Sequence, residues 1–302
     1  METRNGMIKA LVDGVQAALP TKKVHHKEVT KNNGVKLDGL CVSLEDIEDE
    51  NTICTYATFY INTTLDQMVI DDLSVEEAVN EIVTAFKEFK KAGNIPFKST
   101  EDLHSIVSDK EEFLKRVRKC LVSKDRNEDI QRYPHKNFCD LMIMYRVFLG
   151  NGASFLVNQG NMELCGATEK EIEIAAERNA EYIHIPLIEH LKEINPSYNE
   201  YDSTNDFMKI LTNKERSYGA SAMTDKKLLK EIGDSYGCDY IIIPSSINEV
   251  MTFPTNYCNV DDLPYFKQMV RDVNRNTIAD TDFLSDSIYI YRRNAGMIEI
   301  AA

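Results

Sequence analysis

Two segments of the chain carry side chains suited to acid–base or nucleophilic chemistry. The first is Pro134-His135-Lys136-Asn137-Phe138-Cys139-Asp140, in which Asp140 stands near the head of a long apolar run ending at Leu149. A carboxylate in that place is either exposed at a strand end or buried beside a partner, because charged side chains enter cores as pairs. His135 and Arg146 are the partners expected for it. Such a pair would be a structural anchor, and equally a general acid or base. The second segment is Pro244-Ser245-Ser246-Ile247-Asn248-Glu249, directly after the apolar stretch Tyr240–Ile243. Polar residues at the end of a buried strand are a common position for a site. Two hydroxyls, an amide and a carboxylate there could bind a ligand. Ser245 or Ser246 ahead of Glu249 also fits a helix capping box, which is the structural expectation. No Lys or His lies nearby in sequence to activate either serine.

The remaining clusters are weaker. His184 and His190 are six apart with Pro186 between them, whereas a helical metal site wants ligands three or four apart on one face. His25 and His26 are adjacent in a strand-like run and would point to opposite faces. The seven Cys are widely spaced, with no C-x-x-C pair, so neither a zinc knuckle nor a redox pair is indicated. No structural metal and no cofactor are expected. Phosphate-binding glycine loops, H-E-x-x-H and G-x-S-x-G are all missing, which removes the common nucleotide-binding, metalloprotease and hydrolase readings.

The elements that must position these residues follow from the patterning. Met7–Leu19 reads as an amphipathic helix closed by Pro20. Val24–Lys31 and Val35–Leu44 read as strands joined by Asn32-Asn33-Gly34, a composition tolerant of positive φ. Gly39 suggests a bulge in the second strand, residues 45–50 a loop, and Thr52–Tyr60 a third strand. Residues 74–92 are the clearest helix, with a Ser74/Glu77 capping box, an apolar stripe through Ile82 and Phe86, and Gly93 beyond the end. Residues 109–120 fit either a helix running into a strand or a single element of ambiguous type. Phe138–Leu149 reads as one buried strand, followed by a turn and the strand Ala153–Val157. Thr168 with Glu171 opens a helix to about Tyr182, and another runs from Pro186 to Ile194. Residues 195–206 are turn-forming throughout. Beyond them come strands at Phe207–Leu211 and Gly219–Met223, a helix at Asp225–Tyr236 and a strand at Tyr240–Ile243. A helix at Asp261–Val273 and a strand at Ser287–Tyr291 complete the chain.

This order indicates an α+β fold, with mixed or antiparallel sheets and helices packed on them. It divides into an N-terminal region 1–195 and a C-terminal ββαβαβ lobe 206–302, with 196–205 linker-like. At 302 residues, 43% apolar and 28% charged, the chain has length and composition for a folded core. No apolar run approaches the ~18 residues of a membrane span, so no membrane partner is expected. Met1–Ala10 has no apolar leader, and cysteines set in apolar runs suit a reducing cytoplasm. The net charge is −14 and no third of the chain is basic, which argues against nucleic acid. The one basic window, Lys115–Lys136, is expected to be a solvated face beside acidic neighbours.

Several motifs stand out along the chain. They are Lys31–Leu40, Pro134–Leu141, Leu211-Thr212-Asn213, Gly219-Ala220, Ile243–Val250 and Leu284–Arg293. In this order and spacing the chain resembles an uncharacterised bacterial family, domain-of-unknown-function family 5688, over roughly residues 7–293. The resemblance implies a bacterial origin, often in anaerobic gut bacteria and their mobile elements. It implies order and architecture, and no reaction. Where that family more often has His, this chain has Asn248, so an activity needing that His would be lost here. Two functions are then expected in turn. The first is a cytoplasmic binding or regulatory protein acting through a protein or small-molecule partner. The second is an enzyme using His135, Asp140, Ser245, Ser246 and Glu249. In an enzyme those five should meet in one pocket; in a binding module they should scatter or serve as caps.

Overall fold

The computed structural model describes residues 3–47, 54–93, 100–130, 132–150, 152–198, 207–258 and 262–301. The chain forms two compact units. The first is Met1–Ile106 with Leu149–Ala153, and the second is Val107–Phe148 with Ser154–Ala302.

In the first unit α1 (Arg4–Ala18) precedes an antiparallel sheet in the order β1-β2-β3, formed by Val24–Thr30, Lys36–Ser43 and Tyr56–Tyr60. The β1–β2 turn needs left-handed backbone at Asn33 (φ +61°) and Gly34 (φ +69°), and Lys31 N–H closes it on Val35 O at 2.7 Å. Asn and Gly are the residues that occupy that region at least cost. The bulge expected at Gly39 is not there. Pairing runs unbroken through Lys27↔Gly39, and a Cβ at Gly39 would stand 2.6 Å from Thr58 Cγ2. The glycine serves close strand approach instead. α2 (Asn62–Ile70) follows, a helix not expected from the pattern. α3 (Val75–Lys91) carries the Ser74/Glu77 capping box and buries Ala78, Ile82 and Phe86 against Leu11 and Leu40. α4 (Thr100–Ser108) leads out of this unit.

In the second unit α5 (Lys110–Arg116), capped by Asp109, runs straight into β4 (Val117–Ser123). The expected single strand Phe138–Leu149 is instead divided. β5 (His135–Phe138) turns at Cys139, φ +53°, into β6 (Leu141–Gly150), because the charged Asp140 leaves the sheet there. β4 and β5 flank β6, and β7 (Ala153–Leu156) pairs with β6 as well. α6 (Gln159–Cys165) and α7 (Glu169–Arg178) follow. α7 ends at Arg178, four residues short of the expected Tyr182, and Tyr182–Pro186 is the strand β8. The β-branched and aromatic run Tyr-Ile-His-Ile fits a half-buried strand better than a helix end.

The other sheet is antiparallel in the order β13-β12-β10-β11-β9-β8. Its remaining strands are β9 (Lys209–Asn213), β10 (Tyr240–Pro244), β11 (Val250–Pro254), β12 (Tyr289–Arg292) and β13 (Met297–Ile300). β8 and β9, on either side of the linker-like stretch, pair with each other, and 199–206 lie outside the described residues. The helices are α8 (Leu187–Ile194), α9 (Lys226–Tyr236) and α10 (Leu263–Asn276). Gly219–Met223, expected as a strand, is the buried part of a 3-10 helix, Gly219–Thr224. Its small residues Gly-Ala-Ser-Ala fit a tight turn against β9. Strand alternation sorts the central strands. Ile241, Ile243 and Phe253 pack with α10, and the Tyr240 hydroxyl on the opposite face donates to Leu229 O of α9.

Candidate functional site

Asp140 sits in the β5–β6 turn and receives two hydroxyls. Tyr289 donates to Oδ1 at 2.6 Å and Ser285 to Oδ2 at 2.8 Å. Burial pushes the Tyr289 phenol well up, and Asp140 pushes it further. The partners expected from sequence are elsewhere. His135 Nδ1 meets Tyr133 O at 2.8 Å, and Arg146 donates to Ser154 while its guanidinium lies 4.7 Å from the Tyr218 ring centre. Asp140 therefore ties the β5–β6 turn to β12 and the segment before it.

The segment Ser245–Glu249 is the turn of the β10–β11 hairpin. No helix follows it, so the expected capping box is absent. Ser245 and Ser246 N–H both donate to Glu249 O at 3.2 Å, and Ser246 Oγ accepts from Asn248 N–H at 3.0 Å. Asn248 Oδ1 accepts the Tyr218 N–H at 3.0 Å, and its carbonyl accepts Thr212 Oγ1 at 2.7 Å. Gly219 lies against the same group: a Cβ there would overlap Thr212 Oγ1 and stand 2.6 Å from Asn213 N and Asn248 O. Three of the motifs named from sequence thus meet in one hydrogen-bonded knot. Among the described residues, no hydrogen bond or ion pair joins His135 or Asp140 to Ser245, Ser246 or Glu249.

Two histidines set aside in the sequence prove to be engaged. His190, buried on α8, has Nε2 3.2 Å from Glu249 Oε2. His184 on β8 meets Thr252 Oγ1 at 2.7 Å, with the Tyr236 hydroxyl 3.1 Å from that same oxygen. Burial, with Lys209 adding to it, pulls His184 down to about 4, so it is neutral near pH 7. The basic window is met by acids: Lys115 pairs with Glu112, Lys119 with Glu177, Lys136 with Glu173 and Arg126 with Asp280. Among the described residues no three His, Cys, Asp or Glu side chains are grouped to hold a metal ion, and no helix is long and apolar enough to cross a membrane.

Ser245 has a second surroundings. It lies on the wall of a cavity of about 360 Å³ on the α10 face of the six-stranded sheet. Ile243, Met251 and Phe253 form its floor, and Phe266, Met269 and Val273 of α10 form one wall. Phe207 and Tyr257 stack at 4.4 Å along it. Ser245 and Asn274 are its polar side chains apart from the Tyr257 hydroxyl. Asn274 is itself held, donating to Ser285 O and Asp286 Oδ1. The α10 stripe was legible in the sequence as a core face. Yet Met269 and Val273 remain 43% and 46% exposed, so part of that stripe faces the opening of the cavity.

Antiparallel open sheets with helices packed on them make this an α+β protein of two compact units. The model of the family of unknown function DUF5688 matches residues 5–293, and the chain belongs to that family. No curated protein and no solved structure matches the chain.

Proposed function

We propose that this chain is a ligand-binding module whose site is the cavity on the α10 face of the six-stranded sheet. The observation that carries the reading is the cavity itself. Its volume of about 360 Å³ falls within the range of small-molecule sites, and its walls are apolar with a few fixed polar groups. Ser245 and Asn274 would orient a ligand; the aromatic and methionine side chains would desolvate it. Met is well suited to such walls because its thioether adapts to irregular shapes. The class of ligand is a compact, mostly apolar molecule with one or two hydrogen-bonding groups.

The placement of the acid–base candidates supports binding over catalysis. Asp140 is occupied by two hydroxyls, and Glu249 by His190. The bacterial, cytoplasmic setting belongs to the same proposal. The cytoplasmic part is supported by seven cysteines that form no disulfide, of which Cys41, Cys120 and Cys165 are buried.

The test uses the fluorescent probe 1-anilinonaphthalene-8-sulfonate on the folded protein, together with native mass spectrometry for a co-purifying molecule. Val273→Trp would fill the opening from a partly exposed helix position without removing core volume. The probe should bind the natural chain, and Val273→Trp should abolish that binding while leaving the thermal midpoint unchanged. Equal binding by both proteins overturns the proposal.

A further inference from the structure

A second cavity lies on the four-stranded sheet, and its chemistry is the opposite of the first. In β4 and β6, Lys119 stands directly opposite Tyr145, and Lys136 of β5 stands opposite Ile143. Positions 143 and 145 are two apart on one strand, so these side chains share a face. α7 brings Glu173 and Glu177, one turn apart, onto that face. Glu177 Oε1 is 3.3 Å from Lys119 Nζ, and Glu173 pairs with Lys136. The start of α9, with Lys226, and Gly296–Ile298 bound the rest of a cleft of about 500 Å³. A neighbouring hollow of about 390 Å³ shares Lys119, Glu177, Thr224 and Lys226 with it.

Two further features point to a ligand. Tyr145 is 4% exposed and lines the cleft, yet its hydroxyl has no hydrogen-bond partner among the described residues. Burial, with Glu173 and Glu177 adding to it, pushes that phenol up, so it is a donor at any physiological pH. That hydroxyl is reached from the cleft and is free to donate to a group that enters it. The Lys119 side chain is 9% exposed, and Lys226 has no ion-pair partner among the described residues. Three ammonium groups against two carboxylates leave a positive surplus, on a chain whose net charge is −14.

We propose that this cleft binds a small phosphate-bearing molecule. A phenol and three ammonium groups, contributed by β4, β5, β6 and α9, are donors converging from several sides. A tetrahedral phosphate offers acceptors in as many directions, whereas a carboxylate offers two oxygens in one plane. The site is independent of the apolar cavity, and its test uses different probes.

The experiment is calorimetric titration of the full chain with inorganic phosphate and with pyrophosphate, against acetate at matched ionic strength. Tyr145→Phe removes only the hydroxyl, and Lys226→Ala acts at the start of a helix; Lys9→Ala is the control. Phosphate or pyrophosphate should bind and acetate should not. Tyr145→Phe and Lys226→Ala should each weaken binding by about tenfold with an unchanged thermal midpoint. Lys9→Ala should have no effect. Absence of binding to the natural chain, equal binding of acetate, or unchanged affinity in both cleft variants overturns the proposal.

Discussion

The hydroxyl of Tyr289 donates to Asp140 at 2.6 Å across 149 residues of sequence, joining the β12 strand of one sheet to the β5–β6 turn of another. Removing it leaves a partly buried carboxylate with Ser285 as its remaining hydroxyl partner. Tyr289→Phe should lower stability by about 1–3 kcal/mol, read from the shift of the urea midpoint. Asp140→Asn, which can still accept one hydroxyl proton, should cost less than Asp140→Ala.

His184 sets a pH dependence. Its native value is about 4 because burial disfavours the charged ring, while the unfolded chain titrates near the ordinary histidine value of 6.5. Between those values the unfolded chain binds a proton that the folded chain refuses. This contribution to stability is therefore complete above about pH 6.5 and is lost progressively as pH falls towards 4. At about 1.4 kcal/mol per unit the loss is on the order of 3 kcal/mol. Urea midpoints at pH 7 and pH 4.5 should differ less for His184→Gln than for the natural chain.

Phe86 is 2% exposed and meets Phe59 edge-on at 6.3 Å. Phe86→Ala should cost about 3–5 kcal/mol, the usual cost of an emptied aromatic site in a core. Gly34 stands at φ +69° in the β1–β2 turn, so Gly34→Val should cost ~1 kcal/mol or more. Thermal midpoints of the two variants should rank in that order.

Gly219 and Asn248 hold the knot between β9, the 3-10 turn and the β10–β11 hairpin. Gly219→Ala must displace Thr212 or the Asn248 carbonyl and should destabilise strongly, despite adding one methyl. Asn248→Leu leaves the Tyr218 N–H without its acceptor and should cost about 1–2 kcal/mol by denaturant titration.

Much of the fold is written in local sequence. The capping boxes at Ser74/Glu77 and Thr168/Glu171 and the Asn-Asn-Gly turn are each settled within a few residues. Caps and turns answer to hydrogen bonds between near neighbours, so local spacing is sufficient to reveal them. The apolar stripes of α3 and α10 follow from periodicity alone, whereas for 109–120 periodicity leaves helix and strand both open. Tertiary structure decided what periodicity leaves open. The run 138–149 divides because Asp140 finds acceptor work with Tyr289 and Ser285, both remote in sequence. Ser245, Ser246 and Glu249 read locally as a cap, but β11 pairs back on β10 and turns them into a hairpin bend. Gly219–Thr224 curls because Thr212, Asn213 and Asn248 press on Gly219. In each case a long-range partner supplied the hydrogen bond or the steric limit that local propensity left undetermined. Both cavities are of this kind: their walls come from segments up to 179 residues apart, as Lys119 and Ile298 are, and only folding places them around one space.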